Sequence, residues 1–565
     1  MKHEILKIRD QLFPVKDKTC IKANRKANFP FLVSALAYFC LSMDNKIGYV
    51  LGVLVAMAIA WVAAGQMDSL WQQVKADSRK CKIFYGLTAA GICFGAHSYF
   101  HRQTIKLMMP QFSLIFLAVG IVGAVAAFWF IYVGVRWFWK SLAKSTEGMF
   151  RDLTKAEKWV IALLFAGLTL LVIFAFSQSE AFCGTEHLHQ ITQMEFLYDV
   201  IYTSDTAALQ HENAFFALTH PQNDLRQPLF AIFAAPMLGI PYLLGRLVSG
   251  SETVHMILLN LPQLVMLLAA NWMVAKAMDL TPGKRICYLI LSSCMYSNLL
   301  FSVMMEQYIV AYFWLALAVY QICKKGRPDT LVMYGAGGTL LTTMILMPTL
   351  SRKHPVKQFK DWFLEMVKWG LGFVGLMLVF ARFDIFTNLL TRLSEYTGFT
   401  EDTAVPFDLS FSGKLCQFTE FVKNCFAVPN AGVSLTFKPF PSWQLENITA
   451  LNWVGIGILV LCAISAIWNP KNTSSRAAAF WVVFSGIMLL ILGWGTSENG
   501  LILYSLYFGW AYLTLLFQLV DKVGDVLKLK PLVYVCTAAA SAGLLIVNIP
   551  AILKMIRFAI AYYPA

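Results

Sequence analysis

The chain has 565 residues, of which 58% are hydrophobic and only 14% are charged, and its mean hydropathy is +0.60. Soluble globular proteins carry about a quarter charged residues, so this composition argues against a soluble globular fold. The formal net charge is +14. The basic residues stand in short loops between apolar segments, which is how charge sets orientation in a membrane. We therefore expect membrane lipids, and no nucleic acid, among the partners.

The apolar runs determine the fold class. Continuous runs of roughly 18 or more apolar residues are typical of membrane-spanning helices. Such runs recur along the chain, so we predict an all-α fold: a polytopic membrane protein with about 13 to 15 transmembrane or re-entrant helices. Short amphipathic helices are expected in its external loops.

Four regions follow one another along the chain. Residues 1–150 are predicted to hold a cytoplasmic tail and an accessory module of four spans. Residues 151–381 are predicted to form a transmembrane core, with a first external loop at 178–227. Residues 382–450 are predicted to form a second large external loop, and residues 451–565 the C-terminal transmembrane helices.

Loops rich in lysine and arginine mark the cytoplasmic side of a membrane protein. Counting crossings from a cytoplasmic N-terminus places four segments outside: the loop 178–227, the tip near Glu306, the loop 382–450 and the turn Gly495–Gly500. The compact loops and the lack of an endoplasmic-reticulum retention signal favour a bacterial plasma membrane. The chain is thus expected to be a multi-pass protein of that membrane.

The crossing count leaves two segments ambiguous. If segment 228–248 crosses once, the basic loop 276–285 falls on the wrong face, and segment 331–350 has bases at both ends. Each segment is either a broken or re-entrant hairpin or has a misplaced boundary. In the first segment, Pro236 and Pro241 are the residues that could break the helix.

The first external loop carries most of the candidate chemistry, because acids and histidines are concentrated there. Asp205 lies in an amphipathic stretch, where a helix cap and a site residue are equally good interpretations. His220, Asp224 and Arg226 follow at the mouth of the next apolar run. The forked guanidinium of Arg226 suits an anionic phosphate, and Asp224 is a candidate substrate contact.

Two further acids and a histidine group complete the candidates. Glu306 lies between two apolar spans. We favour a functional role over an ordinary loop position, because placing a carboxylate within a membrane costs free energy. Glu498 lies in a glycine-flanked turn, for which a tight turn and a substrate contact are equally good interpretations. His187, His189 and His211 could bind a divalent metal, but their spacing does not suit one helical face. We therefore assign no cofactor and leave a metal open.

The order of these motifs resembles that of the GT-C superfamily of integral membrane glycosyltransferases, which includes protein O-mannosyltransferases and aminoarabinose transferases of lipid A. The motifs are, in order, His220-Pro221, Pro228-Leu229, Gly245-Arg246-Leu247 and Met305-Glu306-Gln307-Tyr308. The family often has a continuous HPPL, which is interrupted here, and an arginine where Met305 stands. The resemblance covers roughly residues 155–330.

The resemblance implies a mechanism. Such enzymes move a sugar from a polyprenyl-phosphate carrier to an acceptor hydroxyl on the outer face, and the acceptor is a glycan, a lipid or a protein. It implies that Asp205 is the general base and that His220 and Glu306 position the donor or acceptor. It also implies that Arg226 and Arg246 contact the leaving phosphate, with which a divalent metal could assist.

Two other functions compete with this one. A surface-polysaccharide polymerase or ligase also has many spans and a large external loop, and the loop 382–450 offers the basic residues that such enzymes use. The acid-rich first loop favours the glycosyltransferase. A lipid-linked sugar flippase or other transporter predicts polar groups in the middle of spans. In the sequence the polar residues instead cluster toward one face.

Overall fold

The structure is a computed structural model, and it describes residues 67–107, 113–182, 200–202, 214–216, 226–248, 251–343, 359–379, 408–435, 440–496 and 499–565. Across these ranges the chain is mostly helical, with a single small two-stranded sheet. The predicted all-helical fold class is therefore confirmed at this level.

The helices of the described ranges are numbered here in chain order. They are α1 Met67–Ala76, α2 Arg79–Leu107, α3 Ser113–Ser145, α4 Lys155–Gln178, α5 Phe230–Val248, α6 Glu252–Ala277, α7 Pro282–Cys294, α8 Tyr296–Val303, α9 Gln307–Lys325, α10 Thr330–Thr339, α11 Phe359–Val379, α12 Phe411–Asn424, α13 Trp453–Trp468, α14 Thr473–Ser485, α15 Ser505–Val526 and α16 Leu532–Tyr562. The strands β1 Ala431–Ser434 and β2 Ser442–Leu445 pair antiparallel.

Six segments within the described ranges are long and apolar enough to cross a membrane: α4, α5, α6, α14 with its extension to Ile491, α15 with the turn before it, and α16. The bent pair α7 and α8 makes a seventh if it counts as one span. These helices suggest a multi-pass membrane protein. The larger number of about 13 to 15 spans stays a prediction, because it includes apolar runs outside the described ranges.

The burial pattern separates a central pair of helices from an outer wall. Nearly every residue of α9 and most residues of α15 are buried. A helix that is apolar all round belongs inside a bundle. The helices α4 and α16 instead expose large apolar side chains, for example Leu163 and Ile546. Such broad apolar exposure is typical of a surface that faces lipid.

Ion pairs between neighbouring helix ends gather at one end of the bundle. They are Lys276–Asp152, Lys284–Asp521, Lys324–Asp279 and Lys325–Asp329. We call this end the basic end. The pairs bring together the C-terminal ends of α6, α9 and α15 and the start of α7. Under the orientation rule for membrane proteins, such an end is expected to be cytoplasmic.

A buried ion pair lies beside these contacts at the basic end. The guanidinium of Arg285 donates two hydrogen bonds to the carboxylate of Glu157, at 2.6 and 3.1 Å. Trp272 Nε1 and the backbone N–H of Thr154 donate to the same carboxylate, at 3.3 and 2.9 Å. Glu157 is fully buried. Its charge is tolerated there because both oxygens are bonded.

One apolar stretch of the transmembrane core is broken into two helices, a break that the sequence did not indicate. α7 and α8 meet at Met295 with a bend of 63°. The break leaves the carbonyl of Cys294 without a helical partner, and Asn548 Nδ2 donates to it at 2.8 Å. The same amide also donates to the carbonyl of Phe426 at 2.7 Å, and that carbonyl accepts from Tyr296 N–H at 2.9 Å. Backbone groups at membrane depth need such partners.

The structure describes all or part of the two segments that the crossing count left ambiguous, 228–248 and 331–350. The helix α5 runs unbroken through Pro236 and Pro241, so these prolines do not break the first segment. It packs closely on α2, where a methyl group at Gly91 would overlap the carbonyl oxygen of Gly239. In the described part of the segment 331–350, the ten-residue helix α10 ends at Thr339. Residues beyond 343 lie outside the described ranges.

The second predicted external loop is more deeply packed than expected. Its helix α12 buries most of its residues, including Phe418 and Phe421, instead of lying on the surface. A methyl group at Gly455 of α13 would overlap the carbonyl oxygen of Thr419, so the two helices touch backbone to backbone. The β1–β2 hairpin follows and was not predicted. Only the part of this loop in the described ranges is placed.

We expect Glu157→Gln to destabilise the protein by about 3–5 kcal/mol, because it removes the carboxylate bonded to buried Arg285 and leaves only the half-exposed Asp152, 3.9 Å away, as an acidic partner. Glu147→Gln is the matched control, since Glu147 pairs with Arg151 at 4.0 Å on the surface. That exposed pair is worth up to about 1 kcal/mol. Detergent-solubilised protein unfolded with denaturant and followed by circular dichroism gives both values. Equal effects of the two substitutions would contradict the stabilising role of the buried pair.

Candidate functional site

Arg226 lies at a junction between two helices in the depth of the bundle. Leu229 N–H donates to Gly338 O at 3.0 Å, and Leu341 N–H donates to Arg226 O at 2.9 Å. These bonds join the segment before α5 to the end of α10. Helix α10 starts at the basic end and has ten residues, so the junction lies about 15 Å from that end. That is about half the thickness of a membrane's hydrocarbon core.

Glu306 lies at a second interruption, between α8 and α9. Its residue is extended, with φ −140° and ψ 163°, and only 1% of its surface is exposed. The other end of α9 carries Lys324 and Lys325, so Glu306 lies roughly 28 Å from the basic end along this 19-residue helix. The carboxylate predicted to be functional is thus buried, at the far end of the bundle from most of the ion pairs.

Three tyrosines pack together near these two charged residues, and we call Tyr308, Tyr504 and Tyr507 the tyrosine cluster. The ring centroid of Tyr308 lies 4.9 Å from that of Tyr507 and 6.1 Å from that of Tyr504. Arg226 and Glu306 both interact electrostatically with the hydroxyls of Tyr308 and Tyr507. The structure therefore brings two of the candidate residues, about eighty positions apart in sequence, to one aromatic surface.

Polar atoms without hydrogen bonds surround this cluster. Gln227 Nε2 donates to Tyr507 OH at 3.0 Å, but Gln227 Oε1 is buried and makes no hydrogen bond. The same holds for Gln307 Nε2 and Ser505 Oγ. A buried donor or acceptor left unbonded costs about 1–3 kcal/mol, and such groups in a native structure need an explanation. A polar ligand that reaches between α5, α9 and α15 would supply the missing partners.

The residues of this site suit a ligand that is anionic at one point and rich in hydroxyls at another. An arginine binds a phosphate through two parallel hydrogen bonds. Tyrosine hydroxyls and glutamine amides donate to oxygen, and a carboxylate such as Glu306 accepts from hydroxyl groups. The tyrosine rings, which are tilted or edge-on to one another, offer apolar surface for a sugar ring or a lipid chain.

Arg246 does not belong to this site, which corrects the expectation that both arginines contact one phosphate. It lies at the opposite end of α5 from Arg226, roughly 30 Å away along the helix. Its guanidinium pairs with Glu252 at 2.8 Å and lies over the ring of Tyr242 at 5.7 Å. The two arginines are too far apart for one phosphate group.

The crossing count placed three segments on the outer side of the membrane, and in the structure hydrogen bonds join them. Trp443 of β2 exchanges backbone hydrogen bonds with the segment 200–202 of the first loop, at 2.8 and 2.6 Å. Gln444 Nε2 donates to Tyr202 O at 3.0 Å and its Oε1 accepts from Asn499 Nδ2 at 3.2 Å. The first loop, the second loop and the turn before α15 therefore meet at Gln444.

Tyr202 fixes the first loop to the break between α7 and α8. Its hydroxyl lies 2.7 Å from the hydroxyl of Tyr296, the first residue of α8, and accepts from Trp443 Nε1 at 3.3 Å. Tyr202 has a positive φ of 53°, which is uncommon for a residue with a side chain. These bonds hold the strained conformation in place.

The remaining candidate residues cannot be placed. Asp205, His220, Asp224 and Glu498 lie outside the described ranges, and their roles stay predictions. In the part of the chain that the structure describes, no group of three histidine, cysteine, aspartate or glutamate side chains is arranged to hold a metal. The three histidines proposed for a metal, in the range 187–211, fall outside that part.

Comparison with known proteins adds no assignment. No family model, curated protein or solved structure matches the chain. The resemblance to the GT-C superfamily therefore rests on the order of its sequence motifs. The function proposed below rests on the geometry around Arg226 and Glu306.

The contact between Gln227 and Tyr507 can be tested by a double-mutant cycle. Tyr507→Phe should destabilise the protein by about 1–3 kcal/mol, because it leaves the Gln227 amide buried and unbonded. Adding Gln227→Leu removes that unbonded amide, so the double variant should cost at least about 1 kcal/mol less than the sum of the two single variants. Denaturant unfolding of the four proteins measures this. Tyr534→Phe on exposed Tyr534 is the control, and additive single effects would exclude the contact.

Proposed function

We propose that the protein is a membrane glycosyltransferase of the GT-C type. It would move a sugar from a polyprenyl-phosphate donor to a hydroxyl of a glycan, lipid or protein acceptor. The observation that carries this proposal is that Arg226 and Glu306 interact electrostatically with the same two tyrosines. A cation for the phosphate and a carboxylate for hydroxyl groups are the two functions that such a transfer requires.

In this proposal Arg226 binds the phosphate that leaves from the anomeric carbon. The bond from that carbon to the phosphate oxygen breaks, and the negative charge that develops on the phosphate is stabilised by the guanidinium. Gln227 shares a hydrogen bond with Tyr507, so it holds one wall of the site. The bonds from Leu229 and Leu341 fix the backbone at Arg226, so the guanidinium starts from a rigid position.

The acceptor hydroxyl forms the new bond to the anomeric carbon and gives up its proton. Asp205 is the proposed general base for that proton. Glu306 is proposed to accept hydrogen bonds from sugar hydroxyls and to orient the ring for attack. Because Glu306 is buried, its hydrogen bonds are stronger than they would be in water. The joined loops around Gln444 would cover the acceptor side.

A transporter is the second candidate, and a specific observation favours it. Asn271 Nδ2 donates to Asn298 Oδ1 at 2.9 Å, and Tyr312 OH donates to Asn271 Oδ1 at 2.8 Å. These buried groups lie well inside α6, α8 and α9. In the sequence, polar residues cluster toward one face of the membrane, which disfavours a transporter. The network around Asn271 places some polar side chains within the bundle instead.

Two further residues of α6 extend that polar row. Asn260 Nδ2 donates to Ser302 O at 2.8 Å, and Gln263 is fully buried with neither its oxygen nor its nitrogen bonded. Polar side chains between membrane helices also serve simply to hold the helices together. The hydrogen bonds of Asn271 fit that role, whereas the unbonded amide of Gln263 is the stronger sign of a polar path.

The two candidates are separated by one set of variants in vesicles that contain a radiolabelled polyprenyl-phosphate hexose. For the transferase, Arg226→Gln should lower sugar transfer to added acceptors by about 100-fold or more, as the loss of one charge-stabilising contact does. Glu306→Gln should also lower it. Arg246→Gln should stay within about fivefold, because an exposed ion pair is worth up to about 1 kcal/mol.

A thermal unfolding curve for each variant shows whether it is folded. If Arg226→Gln does not fold, Arg226→Lys is tested in its place, because lysine keeps the positive charge. Full transfer by folded Arg226→Gln and Glu306→Gln would exclude this site. Movement of labelled lipid between leaflets without sugar transfer, lost in Gln263→Leu, would establish the transporter instead.

A further inference from the structure

The helix α16 crosses the bundle from the basic end to the opposite end. It starts soon after α15, whose Asp521 pairs with Lys284 at the basic end. At its other end, Tyr563 O accepts a hydrogen bond from Ser179 Oγ, just beyond the end of α4. Helix α4 itself starts beside the buried Glu157–Arg285 pair. The far end of α16 therefore lies with the far end of α4.

One side of α16 is exposed along its whole length. The exposed residues recur at intervals of three and four, in the order Val535, Ala539, Ala542, Ile546, Pro550, Lys554, Arg557 and Ala561. Residues at this spacing form a single stripe on a helix. The first five are apolar, which is the composition of a stripe that faces lipid chains.

The two cations follow where the apolar part of the stripe ends. Lys554 and Arg557 lie 22 and 25 residues after Leu532, or about 33 and 37 Å along the helix. A hydrocarbon core is about 30 Å thick. The charged groups thus reach the level of the lipid headgroups. Neither one forms an ion pair with an acid of the described ranges.

Aromatic side chains lie beside Lys554. Lys554 Nζ lies 5.5 Å from the ring centre of Trp443, and that ring lies 5.5 Å from the ring of Phe558. Tyr562 is about half exposed one turn further on, and its ring lies 5.1 Å from Phe558. Tryptophan and tyrosine gather at the level of the headgroups in membrane proteins.

We propose that Lys554, Arg557 and Trp443 form a binding site for the phosphate of a membrane lipid. Basic residues are depleted at a non-cytoplasmic end, so two neighbouring cations that pair with no acid of the described ranges need a counter-ion there. Arginine and lysine are the side chains that bind phosphate. Because these two lie at the end of a lipid-facing stripe, we expect the phosphate to be part of a lipid headgroup. The site is separate from Arg226 and does not rest on the proposed transferase activity.

Photocrosslinking tests this site in nanodiscs. The probes are phosphatidylglycerol and a polyprenyl phosphate, each with a diazirine next to the phosphate, and a matched phosphatidylcholine without net charge. After irradiation, the labelled peptides are identified by mass spectrometry. We expect the anionic probes to label the peptide around 550–565 at least about fivefold more than the neutral probe, since about 1 kcal/mol of attraction per basic residue corresponds to that factor.

The double variant Lys554→Gln with Arg557→Gln should lower this labelling to the level of the neutral probe. The control is Lys522→Gln with Lys530→Gln, which removes the same charge from exposed positions at the basic end. It should leave the 550–565 labelling unchanged. Both pairs are exposed, so both variants should fold, and their thermal unfolding verifies it.

The two anionic probes distinguish the source of the phosphate. Labelling by both identifies a site for membrane phospholipid in general, and labelling by polyprenyl phosphate alone identifies a second contact for a lipid-linked carrier. Equal labelling by the neutral and anionic probes, or labelling that survives Lys554→Gln with Arg557→Gln, would overturn the proposal.

Discussion

Inside an apolar bundle, every backbone group released by a helix break has to find its partner within the protein. This constraint shapes the candidate site. At the junction of α5 and α10, Leu229 and Leu341 provide those partners by bonding to Gly338 O and Arg226 O. At the break between α7 and α8, Asn548 does so. Because the breaks are stabilised in this way, polar side chains such as Arg226 can enter the depth of the bundle.

The sequence predicted the features that depend on local composition. Long apolar runs indicated a helical membrane protein, and the isolated carboxylate of Glu306 indicated a costly buried charge. The features that it missed depend on contacts between distant residues. Gln227 meets Tyr507 across 280 positions, and Asn548 meets Cys294 across 254. Hydropathy cannot show such contacts, so neither the tyrosine cluster nor the break at Met295 was predicted.

The two ends of the bundle differ in chemistry, and the proposals follow from that difference. The basic end pairs its lysines with aspartates from neighbouring helix ends. Toward the other end, the loops meet at Gln444, and Glu306 and Tyr504 lie close to that level. The loops that meet at Gln444 and the buried carboxylate of Glu306 support a reaction with a lipid-borne substrate toward that end. The lipid phosphate proposed at Lys554 and Arg557 would lie at the same end of the bundle.

We propose that Arg226 and Glu306 belong to one site for a lipid-linked phosphate. The most direct measurement is an electron cryomicroscopy structure of the protein in nanodiscs with a bound polyprenyl phosphate. We expect phosphate density within hydrogen-bonding distance of the Arg226 guanidinium, about 3 Å, beside the tyrosine cluster. Phosphate density found only at Arg246 or only at Lys554 and Arg557, with none beside Arg226, would contradict it.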